Sequence, residues 1–346
     1  MWNFYLWALF ISVNALEHAF YDKIDICLFN RWTIGKTPVL KIAMKCNGHD
    51  RAGLCYAAGE VVPINSEAQF AVCYNKKTLI PEFTGHVVHP KPKNGPCATG
   101  RDAWRDEGGQ YAPNPKSNEH DDYEKTMQSN ILGKYYNDSK QYFFARGHLT
   151  PNDAFCTSVE RKLTMINTNI APQWQKFNTN WVVVESAVKK YSNRRGRPVY
   201  VVTGTAGKAT STDGTPLKLN GRVTVPKYFW KAVCDPSVQS SLIFVAENPT
   251  GPRVDEIKGG CNGYEMIRGS GIIHCYSLSA FKDRKEFQRN DFKLPSFGDT
   301  CQPSKKGTFL DDYLKGLSNV KKSSRAWGKL IFATVFIIVI LTYIKY

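Results

Sequence analysis

Three runs decide how this chain is read: YFFARGHLTPNDAF at residues 142–155, TMINTNIAPQWQKFNTNWVVVE at 164–185 and YVVTGTAG at 200–207. The aromatics of QYFFARGHL (141–149) predict a strand. It closes on Arg146, Gly147 and His148, just ahead of the turn signal Thr150-Pro151-Asn152-Asp153. KLTMINTNIAP (162–172) predicts a second strand, and a helix is expected from about Thr179 to Tyr191, where apolar and charged faces mix. RPVYVVTGTAG (197–207) reads as a buried strand ending in glycine. An imidazole at a strand end, beside a residue with no side chain, is well placed to take a proton from water.

Working outward, QFAVCYNKKTLIPEFTGHVVHP (69–90) predicts a β-hairpin turning at Asn75–Lys77. Residues 91–140 are rich in Gly, Pro, Asn and charge, and read as a long loop with one short helix. The sequon Asn137-Asp138-Ser139 lies at its end, as a surface loop requires. A turn-rich hairpin is expected through VPKYFWKAV, SLIFVAENP (241–249) predicts another strand, and 308–318 a second helical stretch. Sheet elements joined by long loops, with one strong helix in the middle, indicate an α+β domain.

The 346 residues carry Lys+Arg 46 against Asp+Glu 30, a formal net charge of +16, which points to a polyanionic partner or an acidic surface. With 42% apolar and 22% charged residues, a disordered chain is excluded. The 10 cysteines hold no CxxC pair, which argues against zinc ribbons and for disulfides in an oxidising compartment. There is no repeat and no Gly-rich phosphate loop. MWNFYLWALFISVNA (1–15) reads as a signal peptide with Val13 and Ala15 at the cleavage site, followed by an N-terminal accessory segment at 16–68. LIFATVFIIVILTYI (330–344), extended to 327–346, reaches about 30 Å as a helix and reads as a membrane anchor. A lipid-anchor signal at Ser318-Asn319 is the alternative. These ends predict an extracellular or lumenal protein.

Hydrolysis of a nucleic-acid strand needs a base for the attacking water and a cation for charge on the phosphate and the departing oxygen. Asn178 and Glu185 return to within about 20° of one helix face and lie about 10.5 Å apart along the axis. That separation favours direct ligation by Asn178 and a water-bridged role for Glu185. A hydrated hard cation, Mg²⁺ or in its place Mn²⁺, tolerates a single protein ligand. The ordinary reading of the same residues is an N-capping Asn and a helix salt bridge. His86 and His89 lack a third ligand, and His18, His49 and His120 read as solvated. His274 reads as a satisfied buried histidine. The basic runs Lys189-Lys190 and Arg194-Arg195-Gly196-Arg197 suit nucleic-acid backbone binding.

In this order and at this spacing, the three runs resemble the DNA/RNA non-specific endonuclease family over about residues 69–290. That family has a ββα-metal fold, and the chain is similar within it to the secreted arthropod nucleases that degrade double-stranded RNA and DNA. The resemblance implies a central, mainly antiparallel sheet with a catalytic helix, stabilised by disulfides, and an endonuclease domain over 69–320. It implies sugar-non-specific hydrolysis of single- or double-stranded DNA and RNA to 5′-phosphate ends. By it His148 is the general base, Asn178 the magnesium ligand and Glu185 the carboxylate orienting metal-bound water. Arg146 contacts phosphate or braces the site, while Asn169 and Gln173 support the loop carrying Asn178. Two positions depart from the pattern. Ala145 stands where the wider family has Asp, and Phe177-Asn178-Thr179-Asn180-Trp181 is one residue shorter than usual, which makes Asn180 the alternative ligand. A catalytically inactive nucleic-acid-binding membrane protein of this fold is the second expectation, and a disulfide-rich adhesion ectodomain the third.

Overall fold

The computed structural model describes residues 24–57, 60–61, 67–93, 95–106, 120–211, 213–248 and 273–305. Its main strands are Arg51–Ala57 (β1), Glu60–Val61 (β2), Phe70–Asn75 (β3), Ile80–Val88 (β4), Phe144–His148 (β5) and Ile170–Trp174 (β6). They continue with Val199–Ala206 (β7), Tyr228–Asp235 (β8), Ser240–Glu247 (β9) and Ile273–Tyr276 (β10). The helices that matter here are Lys125–Leu132 (α1), Ser158–Leu163 (α2), Gln175–Arg195 (α3) and Leu278–Lys282 (α4). Eight strands form one sheet in the order β10-β9-β8-β7-β4-β3-β1-β2, each neighbour antiparallel. The expectation of an α+β fold built on a central antiparallel sheet holds.

Strand alternation sends successive side chains to opposite faces, and both faces are covered. On one, Val72, Val201, Phe229, Val233 and Phe244 pack with Phe177, Trp181, Val184 and Val188 of α3. On the other, Cys73, Val202, Trp230 and Ile243 meet Phe29, Trp32 and Leu40 from the N-terminal side and Phe281 and Phe287 from the C-terminal side. Each large side chain buried in this way contributes about 1.5–3 kcal/mol. The segment expected as accessory supplies β1 to the sheet, and Cys27–Cys55 and Cys46–Cys73 tie it to β1 and β3. Cys97–Cys156 and Cys234–Cys301 are also bonded, as is Cys275, and no described cysteine is free.

The hairpin β3–β4 turns after Asn75 as expected. Residues 162–172 do not form one strand. Thr157 and Glu160 make a reciprocal capping box that starts α2, and a 3-10 turn at Asn167–Asn169 follows before β6 begins at Ile170. Helix α3 begins at Gln175, directly after β6, and ends at Gly196, whose φ of 63° terminates it. The signal peptide, the anchor and the helical stretch 308–318 lie outside the described residues. Among the described residues no helix is long and apolar enough to cross a membrane.

Candidate active site

Strands β5 and β6, with α2 and a 3-10 turn between them in the chain, form with α3 a ββα unit on the helix-bearing face of the sheet. Strands β5 and β6 pair antiparallel, with Ala145 opposite Gln173, Gly147 opposite Ala171 and His148 opposite Ile170. A Cβ on Gly147 would stand 2.5 Å from Cβ and Oε1 of Gln173, so only glycine lets the strands close at this level. Alternation puts Arg146 and His148 on one face of β5. Buried Asn169 fixes the turn after His148. Its Oδ1 accepts from the Thr150 N–H at 2.9 Å, and its Nδ2 donates to the carbonyls of Thr150 and Thr164 at 2.8 and 3.0 Å. It therefore braces the backbone behind the histidine rather than the Asn178 turn.

A cleft of about 530 Å³ opens beside this unit, lined among others by Arg101, Trp104, Tyr123, Ala145, Arg146 and Asn178. The Arg146 guanidinium lies 5.7 Å from the Trp104 ring centroid and 5.3 Å from that of Tyr123. Two aromatic faces hold it by cation–π attraction. Trp104 also lies against His148, with ring centroids 4.6 Å apart. Arg146 Nε and His148 Nε2 are buried and carry no hydrogen-bond partner. Burial, reinforced by the Arg101 charge, lowers the His148 pKa to about 3. Burial likewise raises Glu185 to about 7, Lys231 and Arg101 acting to lower it and Asp153 to raise it. Arg101 thus acts on both His148 and Glu185 while lining the cleft of Asn178. Asn178 sits in the first turn of α3, half-buried at the cleft wall, whereas Asn180 is 1% exposed and faces the protein. The oxygens of Asn178 and Glu185 are hard donors, the kind that suits a hydrated Mg²⁺.

The other expected residues fall in different places. Gln173 is fully buried with both polar atoms unpaired. Lys189, expected to face nucleic acid, is turned inward. Its ammonium donates to the carbonyls of His89 and Ala154 at 3.0 and 3.1 Å, because the chain after His148 passes directly over this turn of α3. Lys190, Arg194 and Arg197 are exposed. Arg195 lies 3.9 Å from Asp235 and donates to Ser237 at 3.4 Å. Arg194 stands about 24 Å along the helix from Asn178, so this basic cluster sits at the far end of α3 from the cleft. His274, in β10, is half-buried and stacks on Tyr276.

Sequence reading missed Arg101, Trp104 and Tyr123, all in a stretch whose composition says only loop. It also missed a polar layer beneath the turn that follows His148. Buried Thr84 and His86 on β4, Thr203 on β7 and Lys231 on β8 interrupt otherwise apolar strands. The lysine inside YFWKAV was the one visible sign.

The family model described as DNA/RNA non-specific endonuclease matches residues 57–271. A salivary endonuclease of Lutzomyia longipalpis is 27% identical over 249 residues, 68% of this chain and 58% of its own length. A nuclease of Nostoc sp. is 36% identical over 92 residues, 26% of this chain and 31% of its own. A salivary endonuclease of Culex quinquefasciatus is 25% identical over 116 residues, 33% of this chain and 32% of its own. The chain thus spans 58% or less of the length of these relatives. The EndoG/EndoGI complex is a solved structure with TM-score 0.39 and 19% identity, over 54% of this chain and 74% of that one. Because the family match runs from β1 across the ββα unit and most of the sheet, the chain belongs to the DNA/RNA non-specific endonuclease family.

Proposed function

We propose that this chain is a Mg²⁺-dependent endonuclease that hydrolyses phosphodiester bonds of DNA and RNA to 5′-phosphate ends, in an extracellular or lumenal compartment. The observation that carries this reading is the cleft where Arg146 and Asn178 share one wall, with His148 beneath Trp104 and with Arg101 acting on both His148 and Glu185. Near neutral pH the His148 imidazole is unprotonated, and its unpartnered Nε2 is free to take a proton from the attacking water. Arg146, oriented by two rings, presents its guanidinium to the phosphate. Asn178 would hold the metal directly, and the Glu185 carboxylate would orient water beside it. Its position in the cleft supports Asn178 over buried Asn180. When bound, Mg²⁺ or Mn²⁺ supplies positive charge to the phosphate and the departing 3′-oxygen. Water, not a ribose hydroxyl, is the nucleophile, so both sugars are accepted. Contacts to phosphate carry little base information, so sequence preference is weak. Lys190, Arg194, Arg195 and Arg197 extend the electropositive footprint away from the scissile bond. The cleaved leader at 1–15 and the anchor at 327–346 remain part of the proposal.

Incubating the purified ectodomain with plasmid DNA and with long double-stranded RNA tests this. Both polymers should be cut with Mg²⁺, spared with chelator, and spared by His148→Ala. Wild-type protein that binds either polymer in Mg²⁺ but leaves it intact would overturn the enzyme reading in favour of an inactive nucleic-acid binder.

A further inference from the structure

The central strands place three polar side chains in one row on the face that carries α3. Lys231 on β8 is directly opposite Thr203 on β7, which is directly opposite Thr84 on β4. All three are at most 1% exposed, in a layer where neighbouring positions are Val, Phe and Trp. Burying a lysine among apolar groups is costly unless its ammonium is partnered. Here the ammonium donates to the Thr203 hydroxyl at 2.6 Å and to the Leu149 carbonyl at 3.4 Å, and lies 5.9 Å from the Trp181 ring. The row continues through Thr84, whose hydroxyl accepts from that of Thr150 at 2.8 Å. Two consecutive residues after His148, Leu149 and Thr150, therefore rest on this row. Lys231 and Glu185 also line one small cavity between the sheet and α3, together with His86 and Lys189, and Lys231 is the charge that most favours the ionised form of Glu185.

We propose that Lys231 is a positioning residue of the hydrolytic reaction: from inside the protein it anchors the backbone that presents His148 and sets the charge facing Glu185. This rests on the nuclease reading. Buried as it is, Lys231 touches neither nucleic acid nor solvent, and acts only through those two groups. Its ammonium is itself drawn down to about 8 by burial while the Glu185 charge opposes that fall, so each group supports the ionised form of the other. The device places charge and hydrogen bonds under the catalytic turn without exposing a further cation to the substrate.

The test compares Lys231→Met and Thr203→Val with the wild-type protein. Duplex binding is measured by fluorescence anisotropy in chelator, and kcat and KM in Mg²⁺, with kcat counted per binding-competent molecule. Lys231→Met should bind duplex as the wild type does, with unchanged KM, while kcat falls about 100-fold, the cost of a displacement near 1 Å at the reacting centre. Thr203→Val, nearly isosteric and retaining the lysine, should lower kcat by about one order of magnitude with KM unchanged. If Lys231→Met does not fold, Thr203→Val decides alone. Wild-type kcat per competent molecule in the decisive variant, or a parallel loss of binding and turnover, would overturn the proposal. A wild-type protein that binds and never cleaves would instead remove the nuclease reading on which it rests.

Discussion

At the scale of single residues, the site sets the charge states of an imidazole and a carboxylate by environment. His148, lowered to about 3, stays neutral across the ordinary range, so its protonation does not shape the pH profile near neutrality. Glu185, raised to about 7, is protonated below that value and charged above it. Cleavage should therefore rise as pH increases through about 7, and Glu185→Gln, fixed in the neutral form, should give a low rate with no such rise. Initial rates across a pH series check this; a wild-type profile flat through neutrality would contradict the role of Glu185. Asn169 makes three buried hydrogen bonds around Thr150. Asn169→Ala should cost about 3 kcal/mol, since it leaves Thr150 polar groups buried and unpaired, and chemical denaturation measures it. His148, Arg146 and Asn178 were legible as candidates through the resemblance of the three runs, since by residue type alone Asn178 reads as an N-cap. Trp104, Tyr123 and Arg101 were not, because their meaning depends on a loop folding back over β5.

At the scale of elements, the ββα unit is held from three sides. Helix α3 sits on the sheet through Phe177, Trp181 and Val188, all buried, so Trp181→Ala should destabilise the fold by about 3–5 kcal/mol. The segment carrying Arg101 and Trp104 is tied down by Cys97–Cys156 and by backbone bonds between Arg105 and Met165 and between Asn167 and Arg105. Replacing both cysteines by Ser should loosen this wall. Turnover should fall more than the melting temperature does, as paired activity and thermal-melt measurements would show. The extent of α3 and the second strand were misjudged for one physical reason. The capping box at Thr157 and Glu160 starts a helix that runs to Leu163, into the front of a run whose β-branched residues suggest strand, and β6 passes into α3 with no turn residue between them. The central strands were legible as continuous apolar runs because both faces of the sheet are buried, and the hairpin by its alternation and its turn at Asn75–Lys77.

At the scale of the whole molecule, a formal charge of +16 rides on a disulfide-bonded α+β body whose basic helix end lies away from the cleft. Charge reversal at Arg194 and Arg197 should weaken duplex binding, flatten its salt dependence and leave the cleavage chemistry of bound substrate unchanged. Binding titrations at several salt concentrations read this directly. The central claim assigns metal to one side chain and the proton to another, and the measurement that separates them is the cleavage rate against Mg²⁺ concentration for wild type, Asn178→Ala and His148→Ala. The account predicts that Asn178→Ala needs markedly more Mg²⁺ to reach half its rate, while His148→Ala keeps the wild-type midpoint and loses nearly all of the plateau. Unchanged midpoints and plateaus in both variants would contradict it.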